Sequence, residues 1–489
     1  VVSSLLEPSA VKERMKHTVI LGGGITGLTA AYILRQRAGG AMRVTLLESG
    51  QRLGGKIATA EENGFLMEGG PDSFLARKRV TMEICRELGL EEQLMPTAPG
   101  ERTTYVWSGG KLHPLPMGVT PMLRSKLISW PGKLRMGAEA LIPPRSVEED
   151  ESLASFVGRR FGREALDKLA APLMAGIYSA DATRLSMQST FAMLPAMEKK
   201  HGSVLRGWLR SKQTHKNSGA GAGTMFLTLR GGMRQLVEAL TAELPREDVR
   251  MDCPALAVLP KDGKYEVVLR GGDSLLADDV ILATPAAVSA RLLDLLDPQL
   301  AARLRMVRYV STATVSLGFR ESDLAAMPKG FGFVVPRQEG RKITACTWSS
   351  MKFAGRAPEG HLLLRVFLGG AGAEHVAEQD GAALVEAARQ ELRRTMGIAA
   401  EPVTARVYRW EKGTPQYEVG HAERVAEIEA LAHGHRGLFL AGAAYHGAGV
   451  PDCMQNALDI AGRLAAQYGM SAALAWNAVR EQGTVTERK

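Results

Sequence analysis

The apolar positions of this chain fall into two alternating rhythms. Thr18 to Leu21 and Val44 to Leu47 are short unbroken apolar runs, the pattern of strands covered on both faces, and an alanine-rich helical stretch lies between them. A strand, a helix and a second strand therefore open the chain. Phe65 to Glu68 reads as another short strand, and Val80 to Leu88 as an amphipathic helix closed by Gly89. Glu148 to Glu151 forms an acidic turn ahead of a helix expected over Leu153 to Leu169, where negative charge complements the helix dipole. Leu229 to Met233 opens a helix reaching Leu244. Strands are predicted next at Val249 to Leu259, Tyr265 to Arg270 and Val280 to Ala283, returning the chain to its opening layer. Runs at Thr312 to Phe319, Gly332 to Val335, Ile343 to Trp348 and Leu362 to Leu368 then precede an amphipathic helix from Asp380 to Met396. They predict a largely antiparallel sheet, and the fold class is α/β.

The first candidate for chemistry lies where the opening strand enters its helix, at Gly22-Gly23-Gly24-Ile25-Thr26-Gly27. Gly22 permits the tight turn, Gly24 lets backbone approach a pyrophosphate, and Gly27 lets the helix pack closely on the sheet. The helix's unpaired N–H groups face the anion. Such a glycine pattern is weak alone, so its neighbours decide. The second strand ends on Glu48, followed by Ser49, about twenty residues past the glycines, where a carboxylate accepts both ribose hydroxyls of an adenosine. A dinucleotide is expected, against the plainer reading of a glycine turn and a solvated glutamate.

Arg52-Leu53-Gly54-Gly55-Lys56 continues the unit where a nicotinamide-binding domain would go on to another helix. Glu48-x-x-x-Arg52-x-Gly54-Gly55-Lys56 resembles the extended phosphate-binding signature of flavoproteins of the amine oxidase, phytoene desaturase and porphyrinogen oxidase superfamily. The resemblance implies FAD on a Rossmann-like domain. Gly70-Pro71-Asp72-Ser73-Phe74-Leu75-Ala76-Arg77-Lys78 closely resembles the GPDSFLxRK segment of the bacterial, HemY-type porphyrinogen oxidases. It implies that Gly70, Pro71, Asp72 and Ser73 lie along the flavin while Lys78 faces the substrate, as a point charge for a propionate.

The same resemblance extends through Pro172 to Tyr178, where Gly176 leaves room beside a large ring, although a glycine there also serves simply to end a helix. It covers Ile343 to Trp348 and Ala357 to Gly360, and implies that Val334 and Phe367 line a tetrapyrrole cavity, an aromatic at 367 packing on a pyrrole ring. Leu256 is expected to meet adenine through its backbone, Trp410 to lie with the cofactor, and Ala448, Gly449 and Val450 to approach the flavin ring. The positive N-terminus of the following helix would favour the anionic reduced form. His446 stands where the family often carries Glu; beside a flavin a histidine modulates proton traffic, though a lone one is usually structural. No catalytic residue is assigned, because the hydride acceptor, flavin N5, belongs to the cofactor.

Composition narrows the rest. The chain has 489 residues, 45% of them hydrophobic, enough for two or three domains with real cores. Its net charge of +9 raises nucleic acid, an anionic membrane surface or acidic substrates. Nucleic acid is not expected, since aromatics are sparse and no recognition-helix or RNP pattern occurs. The four cysteines have no CxxC spacing, so neither a metal site nor a disulfide framework is expected, and a reducing cytosol is the natural compartment. No apolar run approaches a bilayer span and residues 1–16 lack a secretory pattern, so export is not expected; Met15 is expected to be the natural start. In 101–150, Arg124, Lys126, Lys133 and Arg135 interleave with Met122, Leu123, Leu127, Ile128 and Trp130, a pattern for peripheral contact with anionic headgroups or for a solvated face. Glycines 219, 221 and 223 follow no strand and read as a loop, and Gly369-Gly370-Ala371-Gly372 lacks a third glycine and a ribose acid. Without a second dinucleotide site, an oxidase passing electrons to oxygen or a quinone is expected.

The expected division is an FAD-binding domain of 17–78, 225–295 and 435–470, a mixed-sheet substrate domain of 79–100 and 296–434, a helical domain of 101–224 open to membrane contact, and tails at 1–16 and 471–489. The resemblance, which runs from about residue 17 to 470, implies FAD-dependent oxidation of coproporphyrinogen III to coproporphyrin III, six electrons leaving in three flavin cycles with oxygen as acceptor and three H2O2 formed, and the product passing to a downstream chelatase. Lys78 and Arg102 suit a tetracarboxylate. Protoporphyrinogen IX is the near alternative; an amine oxidase, a carotenoid desaturase or a non-enzymatic flavin protein are more distant ones.

Overall fold

The computed structural model describes residues 15–37, 42–100, 102–146, 149–215, 225–324 and 327–469. Both tails beyond these limits and the glycines 219, 221 and 223 lie outside the described residues.

A five-stranded parallel sheet carries the opening unit. Its order is Val249–Arg250, Met42–Leu47, Lys16–Leu21, Asp279–Leu282 and Leu438–Leu440. Leu21 pairs with Leu47 in register, and the Gly22 N–H donates to the Leu47 carbonyl at 2.8 Å, so the glycine turn and Glu48 emerge side by side. The helices Ile25–Arg37 and Val450–Gln467 cover one face in a common apolar core. On the other face lie an antiparallel sheet of Ala255–Lys261, Lys264–Leu269 and Ser274–Ala277 and the helices Ala286–Leu293 and Pro298–Arg305.

The single strand expected over Val249 to Leu259 is two strands belonging to different sheets. Asp252 takes a left-handed conformation between them (φ 49°) and Pro254 offers no N–H, so the ladder breaks. The helix expected to Leu169 likewise stops at Phe161, because Gly162 adopts φ 92°. A short helix, Arg163–Ala165, and a π-helical turn, Leu166–Ala170, follow it.

The second large sheet has the order Thr404–Pro415, Tyr309–Arg320, His361–Gly369, Ile343–Trp348, Gly332–Val334, Thr104–Ser108 and Lys111–Pro114. It is antiparallel except where Gly332–Val334 runs parallel to Thr104–Ser108. Period-two alternation divides its faces. Leu364, Val366 and Leu368 pack with Cys346, Trp348 and Phe333 in the core that helix Gly381–Met396 covers. Arg365 and Phe367, between them in sequence, take the opposite face.

Sheet and core membership corrects two expected boundaries. Residues 104–114, grouped with the helical domain, are edge strands of this sheet, and helix Arg79–Glu87, grouped with the substrate domain, buries Val80, Ile84 and Cys85 in the nucleotide-domain core. The remaining helical unit is organised on a buried ion pair of Arg160 with Glu139, whose carboxylate also accepts from the N–H groups of Val204 and Leu205 at the start of helix Val204–His215. Among the described residues no helix is long and apolar enough to cross a membrane.

Asp279, at the start of its strand, is fully buried and accepts from Tyr468 Oη at 2.8 Å and Gln467 Nε2 at 3.2 Å, at the end of the last helix. Burial raises its pKa to about 6, with adjacent Asp278 adding to the rise and the two donors opposing it. A raised carboxyl favours the folded state while protonated, so its contribution is fully present below the unfolded value near 4 and is lost as pH rises through about 6. Asp279→Asn is therefore expected to raise the melting temperature at pH 7.5 and to have little effect at pH 4.5. Thermal denaturation of both proteins across that range checks this.

Candidate functional site

Gly22 to Gly27 form a turn in which backbone packs on backbone. A β-carbon on Gly27 would stand 1.9 Å from the Gly22 carbonyl oxygen and one on Gly22 2.7 Å from that of Ala283, whereas the side of Gly24 is open. The N-terminus of helix Ile25–Arg37, beginning with Ile25 and Thr26, thus opens beside a bare glycine backbone. Glu48 accepts from the N–H of Gly23 at 2.8 Å and that of Gly50 at 2.8 Å, and Ser49 Oγ lies 3.3 Å from it. The loop 52–56 folds back over the turn: Gly54 N–H donates to the Gly23 carbonyl at 2.8 Å, and Gly24 and Gly54 form an isolated bridge. Arg52 shapes this loop instead of reaching outward, since its guanidinium is taken up by the carbonyls of Leu53, Gly55 and Ile57. Lys56 is exposed by surface area, and crowding of its ammonium by neighbouring protein lowers its pKa.

A second wall comes from 69–73. A β-carbon on Gly70 would lie 1.8 Å from the Lys56 carbonyl oxygen, so this loop seats directly on the first. The Gly69 carbonyl accepts from Thr314 Oγ1 at 3.1 Å, Arg365 at 3.0 Å and Trp410 Nε1 at 2.9 Å. Trp410 stacks at 6.3 Å on Tyr408, whose ring occupies the space beside Gly69. Asp72 is paired with Lys352 at 2.9 Å and accepts from Ser73 Oγ at 2.7 Å, with Pro71 leading into the turn. Burial alone would raise the Asp72 carboxyl, but the Lys352 ammonium and the Arg365 guanidinium hold it down at about 2. Burial in turn pulls the Arg365 guanidinium below its ordinary value, with Asp72 and Glu68 opposing.

The third wall is the C-terminal loop. Gly442 N–H donates to Asn456 Oδ1 at 2.9 Å, and a β-carbon on Gly442 would come 3.8 Å from Thr26 Oγ1, so the first and last helices begin side by side. Ala448 and Gly449 are exposed, Val450 is buried in the nucleotide-domain core, and Gly449 precedes helix Val450–Gln467 without a side-chain cap. That leaves the helix's N–H groups available to a ligand. Tyr417 Oη donates to the Ala443 carbonyl at 2.6 Å and steadies the loop. His446 is half-exposed and its Nε2 lies 2.6 Å from Glu429 Oε1, a surface hydrogen bond. Leu256 turns an exposed side chain to solvent and is the bulged residue of an edge strand, between Ala255 paired with Leu269 and Ala257 paired with Val268. A bulged residue leaves its backbone groups outside the ladder.

The residues expected to line a substrate cavity converge. Val334 pairs with Ala345 and Ala345 with Phe367 in three adjacent strands, and a β-carbon on Gly176 would contact Val334 Cγ1 at 3.4 Å. The Arg365 guanidinium lies 4.7 Å over the Phe367 ring, joining this apolar wall to the Gly69 and Gly70 carbonyls. Lys78 is ion-paired with Asp452 of the last helix, and Arg102 is exposed just ahead of strand Thr104–Ser108. Lys352, Arg365 and Asp452 were missed by sequence reasoning. A charge inside the apolar run Leu362 to Leu368 was a usable signal for Arg365; Lys352 had none, because only folding brings it to Asp72.

The sequence pattern of the family described as "Flavin containing amine oxidoreductase" matches residues 25–465. The chain is 35% identical over 460 residues to the coproporphyrinogen III oxidase of Bacillus subtilis, covering 90% of this chain and 96% of the relative. It is 32% identical over 471 residues to the human protoporphyrinogen oxidase, covering 90% and 96%. An Exiguobacterium sp. 255-15 structure, provisionally named a protoporphyrinogen oxidase, superposes with a TM-score of 0.81 at 33% identity over 93% of this chain and 99% of that one. The chain belongs to the flavin-containing amine oxidoreductase family. Within it, coproporphyrinogen III and protoporphyrinogen oxidases match 90% of the chain at 32 to 35% identity, and the cofactor is FAD. The cradle fits it: an open glycine turn at a helix N-terminus for the pyrophosphate, Glu48 for the ribose, and glycine-lined walls for a flat ring.

Glu48→Ala removes the acceptor shared by two backbone N–H groups and the ribose. Its expected effect is FAD affinity reduced by about tenfold or more, read by reconstituting apoprotein and titrating flavin fluorescence. Lys352→Met, which strands the part-buried Asp72, is expected to destabilise the fold by about 2 kcal/mol, more than Asp72→Asn with its neutral amide, as urea unfolding will show.

Proposed function

We propose that this protein oxidises coproporphyrinogen III to coproporphyrin III in heme biosynthesis, six electrons and six protons leaving the substrate and three oxygen molecules becoming H2O2. The observation that carries the reading is the apolar wall of Gly176, Val334, Ala345 and Phe367, which meets the Gly69 and Gly70 loop through Arg365 and has Lys78 beside the last helix. A flat apolar macrocycle packs on such a wall while its carboxylates find cations. The names of the bacterial relatives support the tetracarboxylate, and those of the plant and human relatives support protoporphyrinogen IX as the second reading.

When bound, the flavin supplies the hydride-accepting, two-electron chemistry. The chain's own residues bind and orient. Gly176 leaves the depth a macrocycle needs, Phe367 offers an aromatic face, and Lys78 and Arg102 answer carboxylates at the rim. Asp72, Lys352 and Arg365 keep the wall rigid, so the reacting carbon meets the cofactor without reorganisation. On the same reading the chain divides into FAD-binding, substrate and helical units, with residues 104–114 counted with the substrate sheet and helix Arg79–Glu87 with the FAD-binding unit.

Peripheral contact with the inner face of the cell membrane belongs to the same reading. Leu141, Met117, Leu134 and Trp130 are 82, 75, 72 and 64% exposed on one unit, interleaved with exposed Arg124 and Lys126, and Lys133 lies 4.5 Å over the Trp130 ring. Apolar side chains rimmed by cations suit an anionic headgroup layer. From that surface the product passes to a downstream chelatase.

Anaerobic mixing of the yellow enzyme with each porphyrinogen is expected to bleach the flavin, faster with coproporphyrinogen III; no bleaching with either sinks the proposal. Gly176→Leu, which fills the space in front of Val334, is expected to slow bleaching at least tenfold while flavin content stays normal. Flotation with anionic vesicles is expected to carry the wild type upward and to leave a Trp130→Glu/Leu134→Glu variant behind.

A further inference from the structure

The last helix carries, in its first turn, a carboxylate that the cofactor cradle described above does not use. Asp452 lies in its first turn, and the preceding loop is cut to fit it. A β-carbon on Gly447 would fall 2.5 Å from the Asp452 carboxyl carbon, and one on Gly449 2.9 Å from its Oδ2. From the second wall, Lys78 crosses to pair with this carboxylate, 374 positions away in sequence. The two side chains keep 37% and 25% of their surface open, so the pair is held without being sealed. Tyr178, two residues past Gly176, lies within the field of both Asp452 and Arg77. The pair therefore stands where the flavin-facing loop, the 70–78 loop and the substrate wall meet.

We propose that Asp452 is the positioning residue for the substrate anchor: it holds the Lys78 ammonium across the mouth of the site, and a substrate carboxylate enters by taking that ammonium over. The inference rests on the porphyrinogen oxidase reading and deepens it. A lysine on a four-carbon stem samples many rotamers, and a fixed counter-ion selects one. Substrate binding is then an exchange of one ion pair for another. Once displaced, the Asp452 carboxylate stays close and repels a second acidic group, so one carboxylated edge of the macrocycle is admitted at the rim and the others face outward.

The test uses holoenzyme, with the oxidised product coproporphyrin III as a binding probe that does not turn over. Asp452→Asn frees Lys78 from its competitor and is expected to bind the porphyrin roughly two- to fivefold more tightly at low salt, the range open to a part-exposed ion pair. Its kcat should fall, because the anchor is no longer held in register. Lys78→Met should bind more weakly, and the tightening should vanish in the Lys78→Met/Asp452→Asn double variant. Asp452→Glu, which keeps the pair, should restore kcat. Unchanged or weaker binding by Asp452→Asn with normal flavin content overturns the proposal. Tightening that survives without Lys78 also overturns it, since Asp452 would then act on the substrate directly. Loss of flavin from both Asp452 variants assigns the residue to cofactor retention and overturns it as well. A wild-type enzyme that binds no coproporphyrin and whose flavin no porphyrinogen bleaches defeats the underlying reading instead.

Discussion

The crevice depends on places where backbone meets backbone with no space for a β-carbon. At Gly27 the first helix rests on the Gly22 carbonyl, at Gly22 the first strand's exit meets Ala283, and at Gly70 the second wall rests on the Lys56 carbonyl. Each contact would be shorter than any real side-chain contact if a methyl group were added, so the walls can approach only because these positions are bare. Spacing follows from that approach. The surface the walls leave, of N–H groups, carbonyls and glycine backbone, suits a pyrophosphate at one end and a flat ring at the other.

Polar groups make these walls rigid at some energetic cost. Glu68, Arg356 and Arg365 are withdrawn from water, and Asp72 largely so. Desolvating such charges costs several kcal/mol each, and only close partners offset it. Here the partners are supplied: Lys352 for Asp72, the Thr59 hydroxyl and the Met233 N–H for Glu68, and the carbonyls of Leu229 and Arg230 for Arg356. The Gly69 carbonyl, accepting from Thr314, Arg365 and Trp410, fastens three strands of the large sheet to the nucleotide-binding half. The apolar wall and the cofactor crevice thereby share one frame.

Much of this was legible because it is local. The glycine turn, Glu48 at the end of the second strand, and the alternation in Leu362 to Leu368 are set by neighbours within a few residues, and their elements formed as read. The misread elements were also local, but the deciding signal was small. Asp252 with Pro254 splits one expected strand between two sheets, and Gly162 ends one expected helix. Lys78, Gly176, Val334 and Phe367 were known as candidates through resemblance, and what the fold adds is that three of them are neighbours on one wall.

By itself the sequence determined the α/β order, the dinucleotide turn and the residues that carry the flavoprotein resemblance. Short-range sterics and periodicity dictate all of these. Only the tertiary structure decided that Lys352 answers Asp72, that Arg365 bridges Phe367 to Gly70, and that Lys78 is held by Asp452. Lys352 and Asp72, Arg365 and Gly70, and Lys78 and Asp452 lie 280, 295 and 374 positions apart, and a charge carries no mark of its partner along the chain. Its partner is chosen by which carboxylate the packed sheets and helices leave within reach once water is gone.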